Sequence, residues 1–243
     1  MRDFIIEAPD RPGHLDREAT LIIQALSHLG KSWSFMPRRR LTNRSIALDP
    51  AVPASGTIPF VRAAFRCAGF LMPEDHSYPE ELRHYLARDI RETTLKKALL
   101  QRRPVFIKPS RRTKRFTGFV YLGESPTDIL GVPPSEPVWV SDPIDIQSEW
   151  RTYCAGKEAL HTSWCSGDRQ ARPDPAVIRE MCSLLSDEAP YAHGCAIDTA
   201  VTATGQTILL ELNDGYSIGA YDDVPAMAYY SVIASRWAGS PTA

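Results

Sequence analysis

The chain has 243 residues, of which 43% are hydrophobic and 23% charged, a composition typical of a globular protein with one large or two small domains. The formal net charge of −1 argues against nucleic acid or an acidic membrane as a partner. The five cysteines are dispersed without a Cys-x-x-Cys pair, which argues against a disulfide framework and against structural zinc. Since no apolar run is long enough to span a membrane and no secretory signal opens the chain, we expect a cytoplasmic protein.

The first predicted elements form a small α/β unit. Residues 4–7 have a strand-like pattern, and Asp16 is placed to cap a helix that continues to about Leu29. Residues 32–36 predict a second strand, and the Arg-rich run 38–40 follows it. A break with two prolines at residues 69–79 marks the end of this unit, so we predict an N-terminal α/β domain at residues 1–77.

The middle of the chain predicts a helix and then a group of strands. Apolar residues recur at helical spacing from residue 78 to about residue 102. Residues 104–109 predict a strand that carries Lys108 near its end, and a basic loop at residues 110–116 follows. Further strands are predicted at residues 117–122 and 137–141. Together these elements predict a central subdomain at residues 78–143.

The last part of the chain predicts a mostly antiparallel sheet with helices. Two strand-like runs flank residues 155–157 and predict a hairpin, and a helix is predicted to begin at Asp174. Strands follow at residues 196–201 and after Gly205, and an apolar helix is predicted from residue 224 to residue 237. These elements predict a C-terminal subdomain at residues 144–243.

Three oxygen-bearing side chains on the last two strands are candidates for a metal site. Glu211 and Asn213 are two residues apart, so in a strand they point to the same face, which Leu209 would share while Leu210 and Leu212 face the other way. If the two strands pair antiparallel, Asp198 lies opposite Glu211. Two carboxylates and an amide oxygen suit Mg²⁺, and the alternative is a polar strand end that faces water.

Basic side chains supply a second group of candidates. Lys108 ends a strand and Lys114 lies in the basic loop, where both can hold phosphates, although a solvated basic loop gives the same pattern. Glu149 and Arg151 share one strand face, where Arg151 can clamp a phosphate or an oxyanion, or form a cross-strand salt bridge. The apolar strand at residues 137–141 can border an adenine ring or simply contribute to the core.

The order of these features resembles the ATP-grasp superfamily over residues 82–237. Several stretches are similar to the R2K clade of that superfamily: Gly56-Thr-Ile-Pro-Phe-Val61, Phe106-Ile-Lys-Pro109, Lys114-Arg-Phe-Thr-Gly118, Ser148-Glu-Trp-Arg151 and Glu211-Leu-Asn-Asp-Gly-Tyr-Ser-Ile-Gly219. The resemblance implies an α/β (α+β) ATP-grasp fold, in which two α+β subdomains clasp a nucleotide behind a small N-terminal domain.

The resemblance also implies a role for each matching residue. Lys108 would bind phosphate, Lys114 would belong to the loop that covers the triphosphate, and Arg151 would contact the reacting phosphate. The implied adenine hinge is Val138, Trp139, Val140 and Asp142, with Asp142 a ribose ligand, and the implied Mg²⁺ ligands are Asp198, Glu211 and Asn213. The sequence departs from the family in two places. Many members have a Pro-Gly run where this chain has residues 214–219. The phosphate loop is also basic here, so Arg111, Arg112 and Arg115 can contact substrate instead of ATP.

The implied activity is an ATP- and Mg²⁺-dependent ligase that joins a carboxylate to an amine through an acyl-phosphate. The substrate would be a small molecule, an amino acid or a peptide, and neither this substrate nor an oligomeric state follows from the sequence. The alternatives are an enzyme that attaches an amino acid to a macromolecule and a nucleotide-binding protein without ligase activity. Because both lysines and all three metal ligands are present, we favour the ligase, with its acceptor bound near residues 214–222.

Overall fold

The computed structural model describes residues 2–11, 13–43, 46–74, 76–111, 115–124 and 126–242. The strands are β1 (Phe4–Glu7), β2 (Trp33–Met36), β3 (Ala54–Ser55), β4 (Ile90–Thr94), β5 (Val105–Pro109), β6 (Phe119–Tyr121), β7 (Pro137–Ser141), β8 (Ile146–Ala155), β9 (Glu158–Gly167), β10 (Gly194–Thr202) and β11 (Thr207–Asp214). The helices are α1 (Arg17–His28), α2 (Arg38–Thr42), α3 (Ile58–Ala68), α4 (Leu95–Leu99), α5 (Pro175–Leu184) and α6 (Ala226–Ala238). Short 3₁₀ helices cover Glu80–Tyr85, Thr127–Ile129 and Pro190–Ala192. The predicted mixture of helices and sheets is thus confirmed.

The N-terminal sheet is parallel, with the strand order β2-β1-β3. Helix α1 begins where the sequence predicts, because the Asp16 carboxylate accepts a hydrogen bond of 2.7 Å from the backbone N–H of Ala19. Its buried face, which includes Ile22 and Leu26, packs with Phe4 and Ile6 of β1. The carboxyl ends of β1 and β3 therefore open toward the rest of the molecule beside the starts of α1 and α3.

The central sheet is antiparallel, with the order β4-β7-β5-β6. The continuous helix predicted for residues 78–102 is wrong, and only α4 at Leu95–Leu99 is α-helical within that range. A 3₁₀ helix ends at Tyr85, Ala87 has a positive φ of 52°, and residues 90–94 form β4, which pairs along its length with β7. Strand β4 is rich in β-branched residues and pairs with β7 along one edge, so tertiary pairing overrides a helix-like spacing of apolar residues.

The segment before β4 packs away from the central sheet. Leu82 is fully buried with Met181 of α5 and with Leu212 of β11, and the backbone carbonyl of Ser77 accepts a hydrogen bond of 2.9 Å from the N–H of Leu212. Residues 77–86 thus contribute to the C-terminal core, while the chain enters the central sheet at Ile90. The subdomain limits at residues 77/78 and 143/144 remain predictions.

The C-terminal sheet has the order β11-β10-β8-β9 and is antiparallel throughout. One face carries Ile197 and Leu209 against α5 and the first 3₁₀ helix. The other face holds Tyr153 and Ala196 against α6 at one end, while its polar side chains lie at the opposite end. No helix within the described part of the chain is long and apolar enough to cross a membrane.

Candidate active site

A cavity of about 910 Å³ lies between the central and C-terminal sheets. Strand β5 contributes Lys108 to its wall, β8 contributes Arg151, and the last two strands contribute the predicted metal ligands. The polar side chains in its wall include Lys108, Glu149, Arg151, Asp198, Glu211 and Asn213. All of these except Glu149 are site residues that were predicted from the sequence. They come from four strands, and the cavity brings together positions up to about a hundred residues apart in the chain.

A β-bulge sets the direction of the side chains on β11. Asp198 pairs with Glu211 but the next residue, Thr199, pairs with Leu209, which leaves Leu210 as the extra residue. The expected alternation of side chains is therefore wrong upstream of Glu211. Leu209 is buried in the core against α5, and Leu210 lines the cavity beside Glu211. The predicted common face of Glu211 and Asn213, and the predicted position of Asp198 opposite Glu211, agree with the strand register.

The three candidate metal ligands converge on one point. The side-chain Nδ2 of Asn213 donates to Oδ2 of Asp198 at 2.9 Å and to Oε1 of Glu211 at 3.1 Å. Two carboxylates thus lie within hydrogen-bonding distance of a single amide group, whose oxygen replaces its nitrogen if the amide rotates by half a turn. Because Mg²⁺ takes hard oxygen ligands, this donor set fits a magnesium ion.

Each of the two carboxylates also has its own cation. The ammonium of Lys108 contacts Oε2 of Glu211. Arg151 makes a bidentate ion pair with Asp198, with both nitrogen–oxygen distances at 2.7 Å, so the cross-strand salt bridge considered from the sequence is present. The Arg151 and Asp198 side chains are only 13% and 15% exposed, which makes these contacts stronger than surface pairs.

The burial and pairing of these groups shift their pKa values. Burial alone would lower the pKa of Lys108, but the charge of Glu211 outweighs it and raises that pKa. Burial acts to raise the pKa of Glu211, yet the Lys108 ammonium reverses the effect and lowers it. Burial raises the pKa of the Asp198 carboxyl, with Arg151 acting against that rise. Lys108 therefore stays charged at neutral pH and is held in place by Glu211.

Glu149 is a site residue to which the sequence analysis gave no functional role. It lines the cavity on the face that also carries Arg151, and burial together with the charge of Asp198 raises its pKa. The signal was present in the sequence, because residues two apart on a strand share a face. Tyr78, Arg88 and Tyr221 also line the cavity, and no local motif marks them. Tyr78 places its ring 4.7 Å from the Lys108 ammonium, and Tyr221 lies 5.3 Å from the Arg151 guanidinium.

The predicted adenine hinge does not border the cavity. Val138 and Val140 are buried in the core of the central sheet, and β7 pairs with β4 on one edge and with β5 on the other. The exposed side chain of Asp142 pairs with Arg103, and Trp139 packs edge-on against Tyr78. Apolar lining comes instead from Phe106, Phe116, Ile146 and Leu210. The predicted phosphate-loop residues Arg112 and Lys114 lie outside the described residues, whereas Arg115 lines the cavity and Arg111 pairs with Glu92.

The segment after the metal ligands connects the cavity to the N-terminal domain. Asp214 forms a buried bidentate pair with Arg236 of α6, at 2.5 and 2.9 Å, which anchors that helix. Ser217 donates to the carbonyl of Gly56 at 3.0 Å, and the carbonyl of Gly219 accepts from Arg151 at 3.3 Å. A narrow space of about 90 Å³ beside Arg151 and Asn213 shares the wall residues 217–219 with a second cavity of about 490 Å³ at the N-terminal sheet.

Several solved structures are similar to this chain over nearly its whole length. The chain resembles D-cycloserine synthetase DcsG with a TM-score of 0.60 at 13% identity, covering 96% of this chain and 99% of that one. It resembles the macrocyclase MdnC bound with precursor peptide MdnA from Microcystis aeruginosa MRC, with a TM-score of 0.55 at 12% identity over 95% and 98% of the two chains. A RimK domain protein ATP-grasp from Sphaerobacter thermophilus DSM 20745 gives 0.52 at 15% identity over 97% and 98%.

The TM-scores above 0.5 show a common fold in spite of the low sequence identity, and they confirm the predicted ATP-grasp fold. No curated protein matches the chain in sequence. A family model described as ATP-grasp domain, R2K clade family 2, matches residues 85–232, which is more than half of the chain. The chain therefore belongs to family 2 of the R2K clade of ATP-grasp domains.

Proposed function

We propose that this ATP-grasp ligase binds ATP with Mg²⁺ in the 910 Å³ cavity and joins a carboxylate to an amine. One observation carries the proposal. Two carboxylates and one amide converge in a cavity between two sheets, and a lysine and an arginine lie directly beside them. Phosphoryl transfer needs this combination of metal ligands and fixed positive charge, and it needs no protein nucleophile.

The nucleotide would lie along the cavity with its base against the apolar wall. Phe106, Ile146 and Leu210 offer that wall, and Lys108 and Arg151 offer positive charge for the phosphates. Asp198, Glu211 and Asn213 would hold Mg²⁺, which neutralises charge on the β- and γ-phosphates when it is bound. The predicted contributions of Lys114 and of residues 138–142 to nucleotide binding stand as proposals from the family resemblance.

The reaction would proceed in two steps. An oxygen of the substrate carboxylate attacks the γ-phosphorus, the bond to the β-phosphate oxygen breaks, and ADP leaves. The amine nitrogen then attacks the acyl carbon of the resulting acyl-phosphate, inorganic phosphate leaves, and the amine loses a proton. Arg151 would stabilise the negative oxygens in both steps, because it lines both the 910 Å³ cavity and the narrow space beside it.

The second cavity is the proposed site of the acceptor. It adjoins the narrow space beside Arg151, and Gly219 borders both. The ionisable side chains in its wall are the carboxylates Glu7, Asp16 and Glu18. This sign of charge favours an amine that arrives protonated, and one of these carboxylates would accept the proton that the amine must lose before its nitrogen attacks. The named relatives include a synthetase of a small molecule and a macrocyclase bound with a peptide, so both sizes of acceptor are candidates.

The test measures nucleotide binding and ADP formation by the purified protein. We expect Mg-ATP to bind and ADP to form when amino acids, peptides or other carboxylates are supplied with an amine, because the cavity holds the full set of charges. Lys108→Ala and Glu211→Ala should each lower ADP formation about 100-fold or more. Lys96→Ala and Glu188→Gln, which change exposed residues of the same types, serve as controls.

The outcomes separate the candidate functions. Failure of the unaltered protein to bind Mg-ATP at millimolar concentration would overturn the proposal. Binding without ADP formation across all substrates would favour a nucleotide-binding protein without ligase activity. The mass of the product distinguishes a small-molecule ligase from an enzyme that modifies a macromolecule.

A further inference from the structure

Arg88 joins the start of the central sheet to the outer edge of the C-terminal sheet. Its Nη1 donates to the carbonyl of Leu86 at 2.9 Å and to the carbonyl of Leu209 at 3.0 Å, and its Nη2 donates to the carbonyl of Leu210 at 3.3 Å. The side chain is half-buried and forms part of the cavity wall. One guanidinium thus contacts two successive carbonyls of β11 immediately before Glu211.

Two successive carbonyls on one edge are a consequence of the β-bulge. In a regular strand alternate residues direct their carbonyls to opposite edges, so an edge strand exposes every second one. Strand β11 is an edge strand, and Leu210 is the extra residue of its bulge. A buried carbonyl without a donor costs free energy, and the planar fork of Arg88 supplies donors to both.

We propose that Arg88 is a positioning residue that fixes the bulge and thereby aims the Glu211 carboxylate at the metal site. This inference rests on the proposed function, because it takes Glu211 as a metal ligand. The bulge decides which side chains face the cavity. It places Leu209 in the core, Leu210 in the cavity wall and Glu211 opposite Asp198.

The competing arrangement is a regular strand with a one-residue shift. If Glu211 stayed opposite Asp198 without a bulge, Leu210 would turn into the core and Leu209 into the cavity, and every pairing upstream would move by one. Arg88 contacts the two carbonyls that distinguish these arrangements. It therefore favours the bulged register over the regular one, and loss of its fork loosens the residues next to Glu211.

The experiment compares Arg88→Lys and Arg88→Met with Arg91→Met, which removes an exposed arginine from the neighbouring strand. Hydrogen exchange of the amides of residues 209–213 is measured without any ligand. Mn²⁺ affinity in the presence of ATP is measured by electron paramagnetic resonance, and kcat and KM for Mg-ATP are measured separately. Thermal unfolding reports whether each variant is folded.

We expect Arg88→Met to accelerate exchange in residues 209–213 and to weaken metal binding in the presence of ATP by about tenfold, as loss of a residue that orients a metal ligand does. Arg88→Lys retains one donor group and should recover part of the affinity, and if Arg88→Met does not fold, this variant decides the question. Arg91→Met should leave both readouts unchanged. A double variant that combines Arg88→Met with deletion of Leu210 has no extra residue in β11 and so needs no bulge. It should bind metal more tightly than Arg88→Met alone.

Two results would overturn the inference. One is unchanged exchange in residues 209–213 of a folded Arg88 variant, and the other is a lower melting temperature with unchanged metal affinity, which is the signature of a structural role alone. Failure of the unaltered protein to bind Mg-ATP would refute the proposed function. In that case the exchange measurement still decides whether Arg88 fixes the bulge.

Discussion

Glu81 shows how one side chain ties together segments distant in sequence. Its Oε1 accepts a hydrogen bond of 3.0 Å from the backbone N–H of Ser186, just after α5, and one of 2.9 Å from the hydroxyl of Tyr191. Burial acts to raise the pKa of Glu81, but these hydrogen bonds outweigh burial and lower the pKa below its ordinary value of 4.5. The folded protein therefore favours the ionised carboxylate.

This pKa shift predicts a stability that depends on pH. Because the folded pKa is lowered, the contribution of Glu81 is fully present above the unfolded pKa and is lost as the pH falls through the folded pKa. We expect Glu81→Gln to lower the free energy of unfolding by about 1 kcal/mol at neutral pH. This difference should vanish in acid, where the Glu81 carboxylate is protonated. Urea unfolding at several pH values measures it. The control Glu80→Gln removes an exposed ion pair with Arg83 and should change the free energy of unfolding little at any pH. A loss of stability in Glu81→Gln that stays the same at every pH would contradict the prediction.

At the scale of elements, two glycines bring α6 directly onto the C-terminal sheet. A Cβ atom on Gly194 of β10 would lie 2.2 Å from the carbonyl oxygen of Val232 in α6, a backbone atom that cannot rotate away. A Cβ atom on Gly215 would lie 2.9 Å from Cγ1 of Val232. This close approach places α6 beside the same sheet face that carries the candidate metal ligands.

Gly194→Ala should therefore separate helix from sheet. We expect a loss of about 3 kcal/mol from overpacking, seen as a melting temperature lower by roughly 10 °C. Gly205→Ala is the matched control, since its Cβ would meet nothing within 4 Å and the change strains only a positive φ of 80°, at about 1 kcal/mol. Equal losses for the two variants would show that the contact with α6 is not tight.

Some elements follow from local sequence and others depend on distant partners. Asp16 and Asp174 each cap the helix predicted to begin there, since the hydrogen bond to the helix start needs only neighbouring residues. The spacing of Leu82, Leu86 and Ile90 suits a helix as well as it suits a 3₁₀ helix followed by a strand, and pairing with β7 decides between them. The convergence of Asp198, Glu211 and Asn213 could be predicted from strand periodicity. The bulge at Leu210 could not, because its carbonyls are satisfied by Arg88, over a hundred residues earlier in the chain.

At the scale of the whole molecule, the site lies between the central and C-terminal sheets, and residues 217–219 connect it to the N-terminal sheet. Lys108 and Arg88 extend from the central part of the chain to β11, and residues 217–219 extend from the C-terminal part to the N-terminal sheet. The Lys108 contact joins two sheets directly, and the other contacts join a sheet to a segment that flanks another sheet. A ligand that binds in the cavity contacts residues from more than one sheet. Its affinity therefore depends on the relative position of the sheets.

The contacts of Lys108 and Arg151 with the two carboxylates of the proposed metal site predict that the site operates by ion exchange. The ammonium and the guanidinium are internal counter-ions, and an arriving divalent cation has to replace them on Glu211 and Asp198. Lys108→Met should therefore tighten the binding of Mn²⁺ alone by up to about tenfold while it weakens the binding of Mg-ATP. Titrations with and without ATP measure the two effects, with Lys96→Met as the control, and a change in the same direction in both would refute the exchange. After turnover, Glu211 and Asp198 would compete with ADP and phosphate for the Lys108 and Arg151 cations. The return of these ion pairs would assist release of both products.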